Sequence, residues 1–307
     1  MSKLKIILVL FFTIVCTGFS QTKPKKHFTN LVDFSEAPKR VNHKYPLFDQ
    51  KNKNQWVLSE LISDEFDADS LNTKKWYPNN PGWKGRKPTL FHEPNVSLND
   101  GELVFKINQQ DEDFNFPEGY THTAGFIRSK QKVLYGYFEA EMKMMNDSWV
   151  SGFWASNNKK EWWTEIDICE NSPATRNQQN DLTSNIHIFR SPEKYGDVQK
   201  YFCRNKKYKV PFNLQDDYHV WGVEWDETVI RFYIDGVLFR EAKNTHWFQP
   251  LHINFNNESN KWFGAVPSEN SKLDQEFRVK YFRYWSKKEP LAIKSKEYAN
   301  GYYGVSK

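Results

Sequence analysis

Cysteine is scarce: three in 307 residues, at Cys16, Cys169 and Cys203. None forms a Cys-x-x-C pair or joins a His/Cys cluster, so a zinc module or dithiol centre is excluded and no catalytic metal is expected. No glycine-rich phosphate loop is present, which removes nucleotide-driven chemistry. No segment repeats, and no heptad pattern runs long enough for a coiled coil. The longest apolar run, Ile6 to Val15, is too short to span a bilayer. Charge of one sign is not dominant either: 43 Lys and Arg stand against 38 Asp and Glu, a formal +5 spread along the chain. Such a balance favours solubility over nucleic-acid binding. No nucleic-acid partner and no membrane span are expected, and the chain is expected to work as a monomer.

Aromatic residues are abundant. They make up 17% of the chain, with 12 Trp, 15 Tyr and 24 Phe. Flat rings beyond what a core requires suit stacking on sugar faces. The ends read simply. Residues 1–20 have the form of a signal peptide: Lys3 and Lys5 precede the apolar run, and the small Gly18 and Ser20 precede a cut at Gln21. Export to the periplasm or the medium is therefore expected. Cys169 and Cys203 could pair there, but Cys169 lies in an apolar strand context and is expected as a buried free thiol. Residues 21–55 are polar and basic, carry Pro24, Pro38 and Pro46, and read as a linker or a strap over the domain. Residues 56–290 read as one catalytic domain, and 291–307 as a tail.

The body is a series of short strand patterns: Gly101–Asn108, Gly136–Met144, Tyr218–Trp225, Val229–Ile234 and Phe277–Trp285. Asp235-Gly236 between two apolar runs is a strong hairpin signal. Many strands and few helices predict an all-β sandwich.

One stretch stands apart: Trp162-Trp163-Thr164-Glu165-Ile166-Asp167-Ile168-Cys169-Glu170-Asn171. Ile166 and Ile168 alternate with Glu165 and Asp167, so one strand face is apolar and the other acidic. Adjacent carboxylates repel, and a sequence chosen for stability alone would not place them so. Trp163 shares their parity and sets an aromatic plate before the acids. Glu170 has the wrong parity and would face the core, unless an extra residue forms a bulge and resets the strand. A bend of that kind would let Glu165 and Glu170 approach to about 5–5.5 Å, the separation of a retaining glycosidase.

Glu165-Ile166-Asp167-Ile168-Cys169-Glu170 resembles the bulged E-x-D-x-x-E signature of glycoside hydrolase family 16, as found in laminarinases, agarases, porphyranases and κ-carrageenases. Flanking segments fit as well, among them Ser63-Asp64-Glu65-Phe66-Asp67, Gly125-Phe126-Ile127-Arg128-Ser129 and Tyr218-His219-Val220-Trp221-Gly222-Val223-Glu224-Trp225. The resemblance spans roughly residues 56–286. It implies a β-jelly-roll of two curved antiparallel sheets with a concave substrate cleft. It also implies roles: Glu165 as nucleophile, Glu170 as acid/base and Asp167 as the residue that orients Glu165. The Trp83-Lys84-Gly85-Arg86-Lys87-Pro88 loop is similar to one in porphyranases. It implies that Trp83 stacks on galactose and Arg86 forks to a sulfate. Asn185 and His187 are implied as hydroxyl ligands near the carboxylates, and Glu258 with Trp262 as cleft-lining residues. Trp149, Trp154 and Trp163 are candidate sugar plates, with core packing the alternative for the first two. Lys159 and Lys160 lie just before the acidic strand as candidates for a second sulfate, with a solvated charge pair the default; the resemblance implies an Arg near there in some porphyranases, and Lys departs from it.

The resulting expectation is a secreted, retaining endo-hydrolase of a red-algal β-galactan, with porphyran as the substrate that fits best. Agarose, κ-carrageenan or furcellaran, and laminarin follow; a sugar-binding module of the same fold is the non-enzyme alternative. The chemistry needs no cofactor. A structural Ca²⁺ is compatible with the resemblance, although no loop displays a site for it.

Overall fold

The computed structural model describes residues 30–109, 114–145, 148–172, 178–195, 202–268, 271–287 and 302–303. The expected signal peptide, Cys16 and almost all of the tail lie outside them. Among the described residues, helix is confined to three short 3-10 turns. Eleven strands have six or more residues: β1 (Glu102–Asn108), β2 (Phe126–Val133), β3 (Gly136–Lys143), β4 (Val150–Asn158), β5 (Trp163–Asn171), β6 (Asp181–Arg190), β7 (His219–Trp225), β8 (Val229–Ile234), β9 (Val237–Lys243), β10 (Leu251–Glu258) and β11 (Glu276–Lys287). They form two sheets, in the orders β6-β5-β4-β10-β2 and β9-β8-β7-β3-β11-β1, each extended by shorter strands. Pairing among these eleven is antiparallel throughout. This is the jelly-roll sandwich.

Period-2 patterning drives the assembly. On β4, Phe153 and Ala155 face inward, and on β10 so do Ile253 and Phe255. Phe153 and Phe255 stack with centroids 4.5 Å apart, and both meet Phe282 of β11 edge-on. The alternate residues, Trp154 on β4 and Asn254, Asn256 and Glu258 on β10, face out of the first sheet. That outer face carries the site.

The Asp235-Gly236 hairpin forms as expected, with positive φ at both residues (48° and 74°). A Cβ on Gly236 would also lie 2.4 Å from Pro38 of the N-terminal segment, so glycine serves both the turn and the packing. Asn30–Leu31 of that segment pairs at the edge of the first sheet, and residues 38–48 cross the outer face of the second. Phe48 stacks on Tyr233 at 4.6 Å. The guanidinium of Arg40 pairs with the buried Glu139 carboxylate, which also accepts from the Leu47 amide (3.0 Å) and the Tyr137 and Tyr281 hydroxyls.

Candidate active site

The acidic strand is β5, flanked by β4 and β6 and so fixed on both sides. Its register against β4 slips once: Phe153 pairs with Cys169, but the next residue, Trp154, pairs with Asp167, which leaves Ile168 as the extra residue. The parity break required by Glu170 is therefore present. Ile166, Ile168 and Cys169 all enter the core. Glu165 and Glu170 remain half-buried on the outer face, with the more deeply buried Asp167 between them. Both described cysteines are free, Cys169 buried and Cys203 exposed.

Register across β6 sets Asn185 beside Asp167 and His187 beside Glu165. His187 Nε2 lies 2.8 Å from Asp167 Oδ2 and 3.9 Å from Glu165 Oε1. Burial lowers the His187 pKa, against the pull of Glu165 and Glu170. Donor atoms of Glu165, Asp167 and His187 fall within 4.8 Å of one another, near enough to share a cation. An imidazole suits calcium poorly, and a cation held by Glu165 would withdraw charge from the oxygens that attack requires. The trio is better suited to sharing protons.

All three acids are held above the ordinary carboxylate range. Burial pushes Glu170 up to about 7; Asp167 adds to this, while Arg86, His187 and a hydrogen bond from Asn260 oppose it. Burial raises Asp167 to about 8 despite Arg240 and Arg86. Burial and Asp167 raise Glu165, against His187 and Arg86. Crowding forbids all three from ionising together at neutral pH. A site able to keep one acid protonated beside an ionised one is what glycosidic cleavage needs.

Arg86 reaches the same face from its loop. Its Nε lies 3.3 Å from Glu258 Oε1, and its guanidinium carbon 5.8 Å from the centre of the Trp83 ring. Burial depresses the Arg86 pKa, but Glu258, Glu170 and Glu165 more than offset this. Glu258 is buried, its Oε2 has no hydrogen-bond partner among the described residues, and burial raises its pKa to about 7.

The aromatic candidates separate. Trp154 faces the site, donates Nε1–H to Asn256 Oδ1 (2.7 Å) and meets Trp83 edge-on. Trp83 is half-buried against Phe91. Trp262 is 74% exposed on the loop after β10. Trp163 shares the face but stacks on Phe189 at 4.0 Å, with Arg190 over its ring. Trp149 is corrected: it is fully buried, donates to the Lys272 carbonyl and belongs to the core, so it cannot be a sugar plate. Lys160 is exposed and stands 3.9 Å from Glu161.

Several site residues escaped the sequence reading. Asn260 donates to Glu170 Oε1. Asn254 and Asn256 floor the site at full burial. Arg128 and Lys132 of β2 face the same side, Arg128 in register with Asn254 and Lys132 with His252. The alternation Ile253-Asn254-Phe255-Asn256 was the available signal, since amides alternating with large apolar residues call for partners outside the core.

The family model described as the GH16 domain of β-porphyranases A–D matches residues 56–286. The chain belongs to glycoside hydrolase family 16. β-Porphyranase B of Zobellia galactanivorans is 30% identical over 278 residues, 84% of this chain and 92% of that protein. β-Porphyranase E of the same organism is 32% identical over 225 residues, 68% and 79% of the two chains. The crystal structure of porphyranase B from Z. galactanivorans superposes with a TM-score of 0.66 at 28% identity, covering 75% of this chain and 92% of that one. Family 16 membership makes the chain an endo-acting glycosidase of β-linked galactan or glucan. Among the described residues, no helix is long and apolar enough to cross a membrane.

Proposed function

We propose that the chain is an exported, retaining endo-β-porphyranase. Glu165 attacks the anomeric carbon while Glu170 protonates the departing glycosidic oxygen. Glu170 then takes a proton from water, which attacks the glycosyl-enzyme and releases Glu165. Asp167, linked to His187, orients Glu165 and absorbs part of the local charge. Asn185, His187 and Glu258 take sugar hydroxyls. Trp83, Trp154 and Trp262 offer ring faces or edges along the chain.

The observation that carries the choice of a sulfated galactan is Arg86. It lies over Trp83 at the Glu170 end of the site, and its side chain is 40% exposed. Among the described residues no hydrogen bond engages its Nη atoms, which leaves a fork for an anionic oxygen pair. A second group of cations supports the same reading. Lys132 is half-buried, and its pKa is lowered by burial, by Lys159 and by Arg128. Lys132 sits in the row Glu165–Ser156–His252–Lys132, three strands or about 14 Å from Glu165. Cations along a cleft suit a polyanionic chain.

The test is a panel of porphyran, agarose, κ-carrageenan, furcellaran and laminarin, with product sizing and proton NMR of the first product. Porphyran should be cut fastest, from within the chain, and the new reducing end should appear first as the β-anomer. Preference for unsulfated agarose would refute the substrate, and an initial α-anomer would refute the mechanism.

A further inference from the structure

Asn260 lies just beyond β10 and is 2% exposed. Both ends of its carboxamide are committed. Oδ1 accepts the backbone N–H of Trp262 at 3.0 Å, and Nδ2 donates to Glu170 Oε1 at 3.2 Å. A backbone N–H can only donate, so the first contact fixes which end of the amide is oxygen and obliges the nitrogen to face Glu170. The residue is also anchored through its main chain: Asn260 and Ala265 exchange two backbone hydrogen bonds, of 2.6 and 3.0 Å, which close a tight loop. The most exposed tryptophan ring, Trp262, projects from that loop.

We propose that Asn260 is a positioning residue that holds the Glu170 carboxyl in its working orientation, directs the transferable proton to Oε2, and ties the acid to the Trp262 ring through one closed loop. An amide N–H is accepted better by a carbonyl oxygen than by a hydroxyl oxygen, so the donor on Oε1 favours the acid form that carries its hydrogen on the other oxygen. Transfer then runs from Oε2–H to the glycosidic oxygen as the C1–O bond breaks and a Glu165 oxygen bonds to C1. The electron pair of the broken bond stays with the leaving oxygen, which receives the proton. A sugar seated on Trp262 and the acid that serves it are thereby kept in register. Aspartate at this position would set two carboxylates against each other, and alanine would leave Oε1 without its donor.

The inference rests on Glu170 being the acid. Groups facing Glu170 are Asp167 and Glu165 on its own strand, His187 on β6, Arg86 on its loop and Glu258 on β10. Asn260→Asp is the discriminating variant, because it keeps an acceptor for the Trp262 N–H, and so the loop, while removing the donor. Its kcat/KM on the polymer should fall about 10²-fold, the scale of a misplaced catalytic group. The alkaline limb of the pH profile should move upward, because the ionised form of Glu170 loses a donor and gains a like charge. Release of the first equivalent of phenolate from a 2,4-dinitrophenyl β-glycoside of the enzyme's own oligosaccharide product needs no protonation and should fall far less. Asn260→Ala should repeat the pattern with a smaller shift of the limb. Trp262→Ala should raise KM and leave the limb in place. Equal losses on both substrates with an unmoved limb would overturn the proposal. Glu170→Gln is the separate control: if it still cuts the polymer, the acid assignment fails. If it loses the polymer but keeps the first phenolate release, and Asn260→Asp behaves as wild type, only this inference fails.

Discussion

Replacing Arg86 by alanine perturbs two interactions at once, and the structure allows them to be separated. The first is the proposed contact to a sulfate ester. A hydrogen bond to a charged group is worth about 1.5–3 kcal/mol. Arg86 keeps 40% of its side chain in solvent, so the lower part of the range applies, about 1.5–2 kcal/mol, or roughly 10- to 30-fold in kcat/KM. The second is the pairing with Glu258. That carboxyl is buried, with Oε2 unpartnered among the described residues, and its pKa already stands at about 7 with the guanidinium beside it. Without Arg86 the pKa rises further, so the carboxyl is neutral in acid and an uncompensated buried charge in base. Arg86→Ala should therefore be stable near pH 6 and weakened near pH 8.5. The kinetic comparison belongs at the lower pH, with Arg86→Ala/Glu258→Gln alongside to remove the orphaned acid.

The assay is steady-state cleavage of porphyran and of the same polymer after desulfation. Both variants should lose about tenfold or more on porphyran and little on the desulfated chain. Arg86→Lys should recover only part, since an ammonium cannot make the fork. Added salt should cut wild-type activity on porphyran more than that of the variants. Equal losses on sulfated and desulfated substrate would show that Arg86 serves the loop or a hydroxyl, and would move agarose ahead of porphyran.

Three further outcomes are expected. Glu165→Gln and Glu170→Gln should each lower turnover on the polymer by at least ~10³-fold while binding persists; a variant keeping a tenth of wild-type turnover would remove that residue from its role. Because Glu170 holds its proton to about pH 7 when folded, against an ordinary value of 4.5, its cost to stability is absent below pH 4.5, grows between the two values and is complete above 7. Glu170→Gln should accordingly raise Tm more at pH 8 than at pH 4.5, and a pH-independent gain would contradict the burial of this charge. Arg40→Ala, which strips the cation from buried Glu139, should cost about 3–5 kcal/mol in urea unfolding. Arg40→Met/Glu139→Gln should recover most of that, and a loss below 1 kcal/mol for the single variant would show the pair to be dispensable.

Where function coincided with local pattern, the sequence was legible. The β5 bulge could be read because parity is a strict rule: Glu170 had to face the core or the strand had to slip, and Ile168 is where it slips. The hairpin at Asp235-Gly236 was legible because two consecutive positive φ values demand those residue types. Trp149 was misplaced because a lone tryptophan just before a strand carries no mark of which side of the sheet it takes, and its neighbours in space, such as the Lys272 carbonyl, are remote in sequence. Arg86 was identified as a cation of the site, but its pairing with Glu258 joins residues 172 positions apart, and no local rule reaches that far.

The same separation explains how β5 tolerates its acids. Nothing within the strand compensates them; each counter-group arrives from another element. Arg86 comes from an early loop, His187 from β6 and Asn260 from the loop after β10. Arg240 comes from the opposite sheet, its guanidinium donating to the carbonyls of Ser184 and Arg204 while its charge acts on Asp167. The Arg240 pKa is itself lowered to about 10 by burial, so this cation is costly to keep there and has no carboxylate in hydrogen-bond contact among the described residues. A core designed for stability would replace Arg240 and Asp167 together with apolar residues. Their joint retention is consistent with a strand whose charge must be adjustable by a single proton during the reaction. The folded sandwich supplies the rigidity that keeps those groups in place.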